Sequence, residues 1–169
     1  MDEALTSIRN YLRIGERLLT AGQPTSSQFT CLAAADVEVV INLAMPDSSE
    51  AVIDEDRRVA GLGLTYVHIP VPWDAPTIRS VARFFELMAA LGCEKAFVHC
   101  IMNMRISVFV FLYRVCRQGV SVSDARADLL RIWHPNQVWQ RLIDDVMAEP
   151  EMCPCLASGV TRLKHSGLT

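Results

Sequence analysis

The sequence predicts an α/β fold with a single, mostly parallel central sheet of about four to five strands flanked by helices. Short apolar runs alternate with longer segments of helical periodicity, a pattern typical of strands joined by crossover helices. The chain has 169 residues, of which 51% are hydrophobic and 21% charged, which suits one globular domain and excludes disorder for the bulk. We place this domain at residues 1–150. A tail at residues 151–169 lacks amphipathic periodicity and is expected to be loosely ordered.

The first third of the chain contains the first two predicted strands. Leu18–Ala21 is a short apolar run that a Gln-Pro pair closes. A helix is predicted to begin at Thr25 or Ser26, since both are good N-caps, and to continue to about Ala35. The run Val37–Leu43 is rich in β-branched residues, so it is predicted to be a central strand.

The rest of the chain repeats this alternation. Glycines and prolines bound the elements, and Thr77 is expected to cap one helix. The predicted strands are Leu64–Ile69 and Lys95–His99. The predicted helices are Ala51–Ala60, Thr77–Leu91, Arg105–Arg117, Ser123–Trp133 and Asn136–Ala148.

Charge and cysteine content limit the classes of partner. The formal net charge is −3, so no global positive field would gather nucleic acid or an anionic membrane, and neither is expected as a partner. Six cysteines are too few for a disulfide scaffold, so reduced thiols are expected. The N-terminal segment carries acidic residues, whereas a secretory signal has a basic segment followed by an apolar run. This difference, together with the expected reduced thiols, predicts a cytoplasmic protein.

A nucleophile is predicted where the strand Lys95–His99 leads into the next helix. Cys100 follows that strand, and helix N-terminal amides together with the Arg105 guanidinium favour its thiolate form. The same donors would hold the oxygens of a tetrahedral anion. The intervening residues are predicted to bind substrate; they are Ile101, Met102, Asn103 and Met104. No metal constellation emerges, and no cofactor is expected.

Four segments carry a family resemblance. They are LLTAGQPT (Leu18–Thr25), VINLA (Val40–Ala44), VPWDAPT (Val71–Thr77) and VHC (Val98–Cys100). In this order they resemble the bacterial phosphatase-like domain of the cysteine-dependent protein tyrosine and dual-specificity phosphatases, a domain also found fused to metallo-β-lactamase-type hydrolases. The resemblance implies a dual-specificity-phosphatase-like fold and a phosphocysteine mechanism. Cys100 would attack phosphorus, Arg105 would hold the oxygens and Asp74 would protonate the leaving oxygen.

The implied substrate is a phosphate monoester. It is a phosphotyrosine or phosphoserine/threonine protein or a small phosphoester, and the sequence leaves this choice and the oligomeric state open. His99 would tune the thiol pKa, or it is a satisfied core histidine. Ser107 would donate to the thiolate, or it caps the helix locally. As an alternative to the role of general acid, Asp74 caps the turn between two prolines.

The loop departs from the family pattern in its length. Four residues separate Cys100 from Arg105, where the family has five, and Ile106 follows the arginine. If the loop is aligned from Cys100, Asn103 takes the place of a glycine in the family pattern and Ser107 takes the place of a hydroxyl residue. If it is aligned from Arg105, the loop that would cradle the anion is one residue shorter. A six-residue loop also resembles that of rhodanese-type sulfurtransferases, with Cys100 carrying a persulfide. A further alternative is a weak pseudophosphatase that binds a phosphorylated partner.

Overall fold

The computed structural model describes residues 2–156, which form twelve elements. The strands are β1 (Leu12–Ile14), β2 (Leu18–Ala21), β3 (Val39–Asn42), β4 (Thr65–His68) and β5 (Ala96–His99). The helices are α1 (Asp2–Thr6), α2 (Phe29–Ala34), α3 (Glu55–Gly61), α4 (Ile78–Ala90), α5 (Met104–Cys116), α6 (Val122–Ile132) and α7 (Gln137–Ala148). The predicted α/β class is confirmed.

The five strands form one sheet in the order β1-β2-β5-β3-β4, in which β1 is antiparallel to β2 and the other pairs are parallel. Strand β5 is central, and every residue of β2, β3 and β5 is buried, as expected when helices cover both faces. Ala21 and Asn42 both pair with His99, so three parallel strands end at the same level. Ligands of open parallel sheets collect at this edge.

One strand was not predicted from the sequence. Strand β1 has only three residues and lies in a segment whose apolar spacing favours a helix, so Leu18–Ala21 is the second strand rather than the first. Helix α2 begins at Phe29, after a turn that Gln28 and Thr25 brace by mutual hydrogen bonds, later than expected. Thr77 caps α4 as predicted, because its side chain accepts a hydrogen bond from the Ser80 amide.

The helices cover the sheet on both faces and leave α5 in the middle of the larger core. Helices α4, α6 and α7 pack around α5 on one face, and α1 to α3 cover the other. Helix α5 is buried from Arg105 to Val110 and is apolar on all sides, as a fully enclosed helix should be. It has 13 residues, and no helix within residues 2–156 is long and apolar enough to cross a bilayer.

The C-terminal end of the described chain differs from two expectations. Met152 and Cys153 are buried in the larger core, so this part of the predicted tail docks on the domain, and residues 157–169 of the tail lie outside the described residues. Cys116, the last residue of α5, forms a disulfide with Cys153. The expectation of reduced thiols is therefore wrong for this pair, since the fold brings two distant cysteines together. The cytoplasmic location stays a prediction.

We expect the variant Cys153→Ser to be less stable than the wild type in non-reducing buffer. The disulfide joins residues 37 apart, and closing a loop of this size contributes about 2–4 kcal/mol, which corresponds to a melting temperature lower by roughly 5–10 °C. Thermal unfolding followed by circular dichroism measures the shift. Cys93→Ser, at an exposed free cysteine, is the matched control. Equal melting temperatures of Cys153→Ser and the wild type would show that the disulfide contributes nothing.

Candidate active site

Cys100 lies at the carboxyl end of the central strand, one residue beyond β5. It is enclosed overall, with 0% of its surface exposed, yet it borders a cleft of about 310 Å³. The cleft is lined by Ser48, Ser49, Trp73, Cys100, Ile101, Met102, Met104 and Arg105. The structure therefore brings Cys100 together with Arg105 and with three of the four predicted loop residues.

Asn103 turns the chain from the loop into α5. Its φ of 61° is left-handed, a conformation that asparagine adopts more readily than most residues. Its side-chain amide donates to the Asn10 carbonyl at 2.7 Å and to the Thr20 hydroxyl at 3.0 Å. These bonds draw the side chain towards the N-terminal segment, and it does not line the cleft. Asn103 thus contributes a backbone conformation, in the position where the resembling family has glycine.

The N-terminal segment and the residues after β2 hold the loop carbonyls on the side away from α5. The Ile101 carbonyl accepts from the Gln23 amide at 3.1 Å, and the Met102 carbonyl accepts from Asn10 Nδ2 at 2.9 Å. In a trans peptide the next N–H points opposite to the carbonyl. These two bonds therefore fix the orientation of the Ile101–Met102 and Met102–Asn103 peptide planes.

Gly22 makes this arrangement possible because it lies against the loop backbone. A Cβ atom at position 22 would be 2.6 Å from the Ile101 carbonyl oxygen, closer than any carbon atom can approach. Gly22 also forms a bridge with Met102. This contact explains the glycine of the AGQP segment. The sequence pattern alone does not reveal that Gly22 lies against the backbone of the loop.

We expect Gly22→Ala to displace the loop and to cost about 1–3 kcal/mol of stability, as overpacking against backbone does. The rate of Cys100 alkylation by iodoacetamide and the melting temperature measure the two effects. Gly61→Ala is the matched control, because a Cβ there meets nothing within 4 Å. An alkylation rate and a melting temperature identical to those of the wild type would contradict the steric role of Gly22.

The Arg105 guanidinium is held at the cleft by two contacts. Its Nε donates to the Val71 carbonyl at 2.9 Å, and its guanidinium carbon lies 5.4 Å from the centre of the Trp73 ring. Only 8% of the residue is exposed, so the side chain is not extended into solvent. A guanidinium bound through Nε still has its two terminal amino groups, which suit the paired oxygens of a tetrahedral anion.

Three tryptophans attach the loop at residues 69–77 to the start of α5. Trp73 lies 5.3 Å from both Trp133 and Trp139, measured between ring centres. The Trp139 indole N–H donates to the Trp73 carbonyl, and the Trp133 indole N–H donates to the Met104 carbonyl, each at 3.1 Å. Trp73 was not predicted from the sequence to line the cleft. Its position beside Asp74 in VPWDAPT is the signal that could have indicated it.

Asp74 follows Trp73 but does not line the same cleft. It is exposed and borders a neighbouring cleft of about 390 Å³, together with Arg141 and Asp145 of α7. Trp73 and Asp74 are neighbours in the chain, yet they line two different clefts. The role of Asp74 as general acid stays a prediction and requires the carboxylate to turn across the Trp73 side of the rim.

Ser107 lies on the far side of the first turn of α5 from the cleft. Its hydroxyl donates to the Met104 carbonyl at 2.9 Å and accepts from the Trp133 indole at 3.1 Å. It lines a small interior void with Thr20, not the Cys100 cleft. These contacts match the local capping alternative, and a hydrogen bond from Ser107 to the thiolate stays a prediction.

His99 is completely buried and contacts a carboxylate. Its Nε2 lies 2.9 Å from Glu55 Oε1, and its ring stacks on Phe97 with the edge of Phe29 nearby. Its other nitrogen, Nδ1, is buried and has no partner among the described residues. One of the two ring nitrogens of His99 thus contacts a buried carboxylate.

Glu55 is a second residue near the site that was not predicted from the sequence. It is 6% exposed, and its carboxylate accepts from Gln23 Nε2 at 2.6 Å and from Asn42 Nδ2 at 3.0 Å in addition to His99. Burial raises the pKa of Glu55. The hydrogen bond and charge of His99 and the hydrogen bond from Gln23 together lower this pKa by more than burial raises it, so the net shift is downward. The available signal was helical spacing, which places Glu55 four residues before the buried Val59 on the core side of α3.

The site combines a thiol, a guanidinium and a helix N-terminus, which are groups that covalent catalysis at an oxyanion uses. Within residues 2–156, no three His, Cys, Asp or Glu side chains are arranged to hold a metal ion.

Comparisons with known proteins bear on the family and the fold. A family model described as "DSP-PTPase phosphatase fused to NAD+ Kinase" matches residues 10–141. A solved structure of a candidate phosphatase (DUF442) from Shewanella putrefaciens CN-32 is 34% identical and superposes with a TM-score of 0.79. That match covers 88% of this chain and 97% of the other.

Two further relatives are more distant or much longer. The beta-lactamase hydrolase-like protein of Agrobacterium fabrum is 35% identical over 94 residues, which cover 53% of this chain and 21% of that protein. The chain therefore matches about a fifth of the length of that relative. The core catalytic domain of the PP-IP phosphatase SIW14 from S. cerevisiae shares the fold, with a TM-score of 0.70 at 15% identity over 92% of this chain and 95% of the other.

Proposed function

Because the chain belongs to the DSP-PTPase family of phosphatases, we propose that it hydrolyses phosphate monoesters with Cys100 as the nucleophile. The observation that carries this proposal is that Cys100 and Arg105 line one cleft at the junction of β5 and α5. Arg105 lines this cleft although the loop is short, because Val71 and Trp73 hold its side chain there.

In the proposed first step, the Cys100 thiolate attacks phosphorus, a sulfur–phosphorus bond forms and the ester phosphorus–oxygen bond breaks. The leaving oxygen takes a proton from Asp74. In the second step, the Asp74 carboxylate takes a proton from water as the water oxygen bonds to phosphorus, the sulfur–phosphorus bond breaks, orthophosphate is released and the electron pair returns to sulfur. Arg105 and the amides of the loop neutralise the charge on the equatorial oxygens in both steps.

The cleft lining favours one phosphate on an apolar or aromatic group. Ile101, Met102, Met104 and Trp73 supply most of it, and Arg105 is the single charged residue among the described lining residues. Arg9 lies nearby, where it contacts the Met102 sulfur, but Glu50 already pairs with it at 2.7 Å. A substrate with several phosphates would leave charges unpaired here, so a phosphotyrosine-like substrate fits better.

The short loop supports a second candidate, sulfur transfer. Cys100 to Arg105 spans six residues, as in rhodanese-type loops, and Cys100 would then carry a persulfide sulfur to an acceptor. A third outcome is binding of a phosphorylated partner without turnover.

We expect p-nitrophenyl phosphate to be hydrolysed by the wild type and Cys100→Ser to lower kcat by at least about a thousandfold. Asp74→Asn should lower kcat by roughly 10²- to 10⁴-fold on phenyl phosphate, whose leaving group needs a proton, and by less on p-nitrophenyl phosphate. Cys93→Ser, at an exposed cysteine outside the site, is the control. Phosphate release that persists in Cys100→Ser would overturn the covalent mechanism.

Parallel measurements distinguish the alternative functions. Thiocyanate formation from thiosulfate and cyanide, without phosphatase turnover, would favour sulfur transfer. Vanadate binding without either activity would favour the binding role.

We expect kcat/KM to be at least about tenfold higher for a phosphotyrosine peptide than for an inositol polyphosphate. The reason is that the cleft offers one free guanidinium among its described lining residues. Phosphate release from both substrates, measured at matched ionic strength, tests the preference. A higher kcat/KM for the inositol polyphosphate would contradict it.

A further inference from the structure

Three of the six cysteines meet at the C-terminal end of α5, the end of this helix opposite to the Cys100 cleft. Cys116 is the last residue of α5, and Cys153 and Cys155 follow α7. Cys116 and Cys153 form the disulfide, and the Sγ of Cys155 lies 3.9 Å from the Sγ of Cys153. The fold therefore places a third sulfur in contact with a disulfide, and the proposed hydrolysis uses none of the three.

The three cysteines differ in their access to solvent. Cys116 and Cys153 are 3% and 1% exposed and belong to the larger core, so a reagent in solution reaches almost none of the disulfide. Cys155, in contrast, is an exposed free cysteine. A disulfide exchanges only with a thiolate that reaches one of its two sulfur atoms. Cys155 is thus the member of this cluster that contacts both the disulfide and the solvent.

The end of α5 holds the Cys155 thiol in this place. The thiol donates to the Val115 carbonyl at 3.0 Å and lies 3.8 Å from the Cys116 carbonyl oxygen. Both carbonyls belong to the last turn of α5, where carbonyl groups have no partner further along the helix. This hydrogen bond directs the Cys155 side chain towards Cys153, and the thiol must give it up when it loses its proton.

We propose that Cys155 is the entry residue of a thiol–disulfide exchange site, through which low-molecular-weight thiols and disulfides reduce and re-form the Cys116–Cys153 bond. The observation that carries the proposal is the order of access, from exposed Cys155 to Cys153 at 3.9 Å and then to Cys116 in the core. The proposal does not depend on the phosphatase function, because none of these three residues lines the Cys100 cleft.

Reduction proceeds in two exchanges and a release. The Cys155 thiol loses its proton to solvent, and its thiolate attacks Cys153, so that a Cys153–Cys155 bond forms and Cys116 leaves as a thiolate that takes up a proton. An external thiolate then attacks Cys155, which becomes a mixed disulfide while Cys153 leaves as a thiolate. A second external thiolate removes the adduct as a low-molecular-weight disulfide. Two external thiols are thereby oxidised and one protein disulfide is reduced.

The same steps in reverse form the buried disulfide. A low-molecular-weight disulfide is then the oxidant, and Cys155 is the thiol that it meets first. Cys153 and then Cys116 attack in turn, and Cys155 ends as a free thiol, the state in which the structure shows it.

The experiment measures how fast reduced glutathione opens the disulfide in mildly alkaline buffer, with Cys116 alkylated by iodoacetamide and quantified by mass spectrometry. Cys155→Ser removes the attacking sulfur and keeps a hydroxyl that can donate to the Val115 carbonyl. We expect its disulfide to be reduced at least about tenfold more slowly than that of the wild type, because the exposed route is lost. Cys93→Ser, at an exposed cysteine outside the cluster, is the matched control and should react at the wild-type rate. Equal rates in Cys155→Ser and the wild type would overturn the proposal.

A second measurement uses the wild type alone and identifies the intermediates. Samples quenched early should contain glutathione on Cys155, or alkylated Cys116 together with an internal disulfide in the peptide that contains Cys153 and Cys155. Glutathione attached first to Cys116 or Cys153 would contradict the proposed order. So would a protein treated with glutathione disulfide in which Cys116 and Cys153 both remain open to alkylation.

Discussion

A chain that leaves the central strand of a parallel sheet must reverse into its covering helix within a few residues, and here Asn103 makes that reversal in the left-handed conformation. The turn allows the N-terminus of α5 to face the end of β5, where Cys100 lies. It persists because the Asn103 side chain bonds to Asn10 and Thr20, which belong to parts of the chain more than eighty residues away. The local conformation and the long-range contacts therefore stabilise each other.

The same reversal is part of a wider set of contacts that hold the short loop in place. Contacts from two opposite sides fix the backbone: Gln23 and Asn10 hold the loop carbonyls, and Trp133 binds the Met104 carbonyl at the start of α5. Arg105 is then aligned by Val71 and Trp73 rather than by its position in the loop alone. The spacing between cysteine and arginine can vary when tertiary contacts determine where the guanidinium lies.

The buried polar groups around Glu55 connect the site to the packing of the fold. Glu55 from α3, Asn42 from β3 and His99 from β5 lie at the level where the parallel strands end. Such a network is favourable only when nearly every member is satisfied, because unpaired polar groups in the interior are costly. Since these strands also end at Cys100, the packing of α3 on the sheet and the environment of the nucleophile depend on the same contacts.

The sequence by itself determined the α/β class, four of the five strands, the helix cap at Thr77 and the Cys100–Arg105 segment. These features depend on periodicity and on neighbours in the chain, which are readable locally. Only the tertiary structure decided the rest: that Glu55 pairs with His99, that Cys116 bonds to Cys153, that Ser107 turns away from the cleft and that Asp74 lies on its outer side. Each of these depends on the direction in which a side chain leaves its element and on what another element places there, and sequence spacing contains neither.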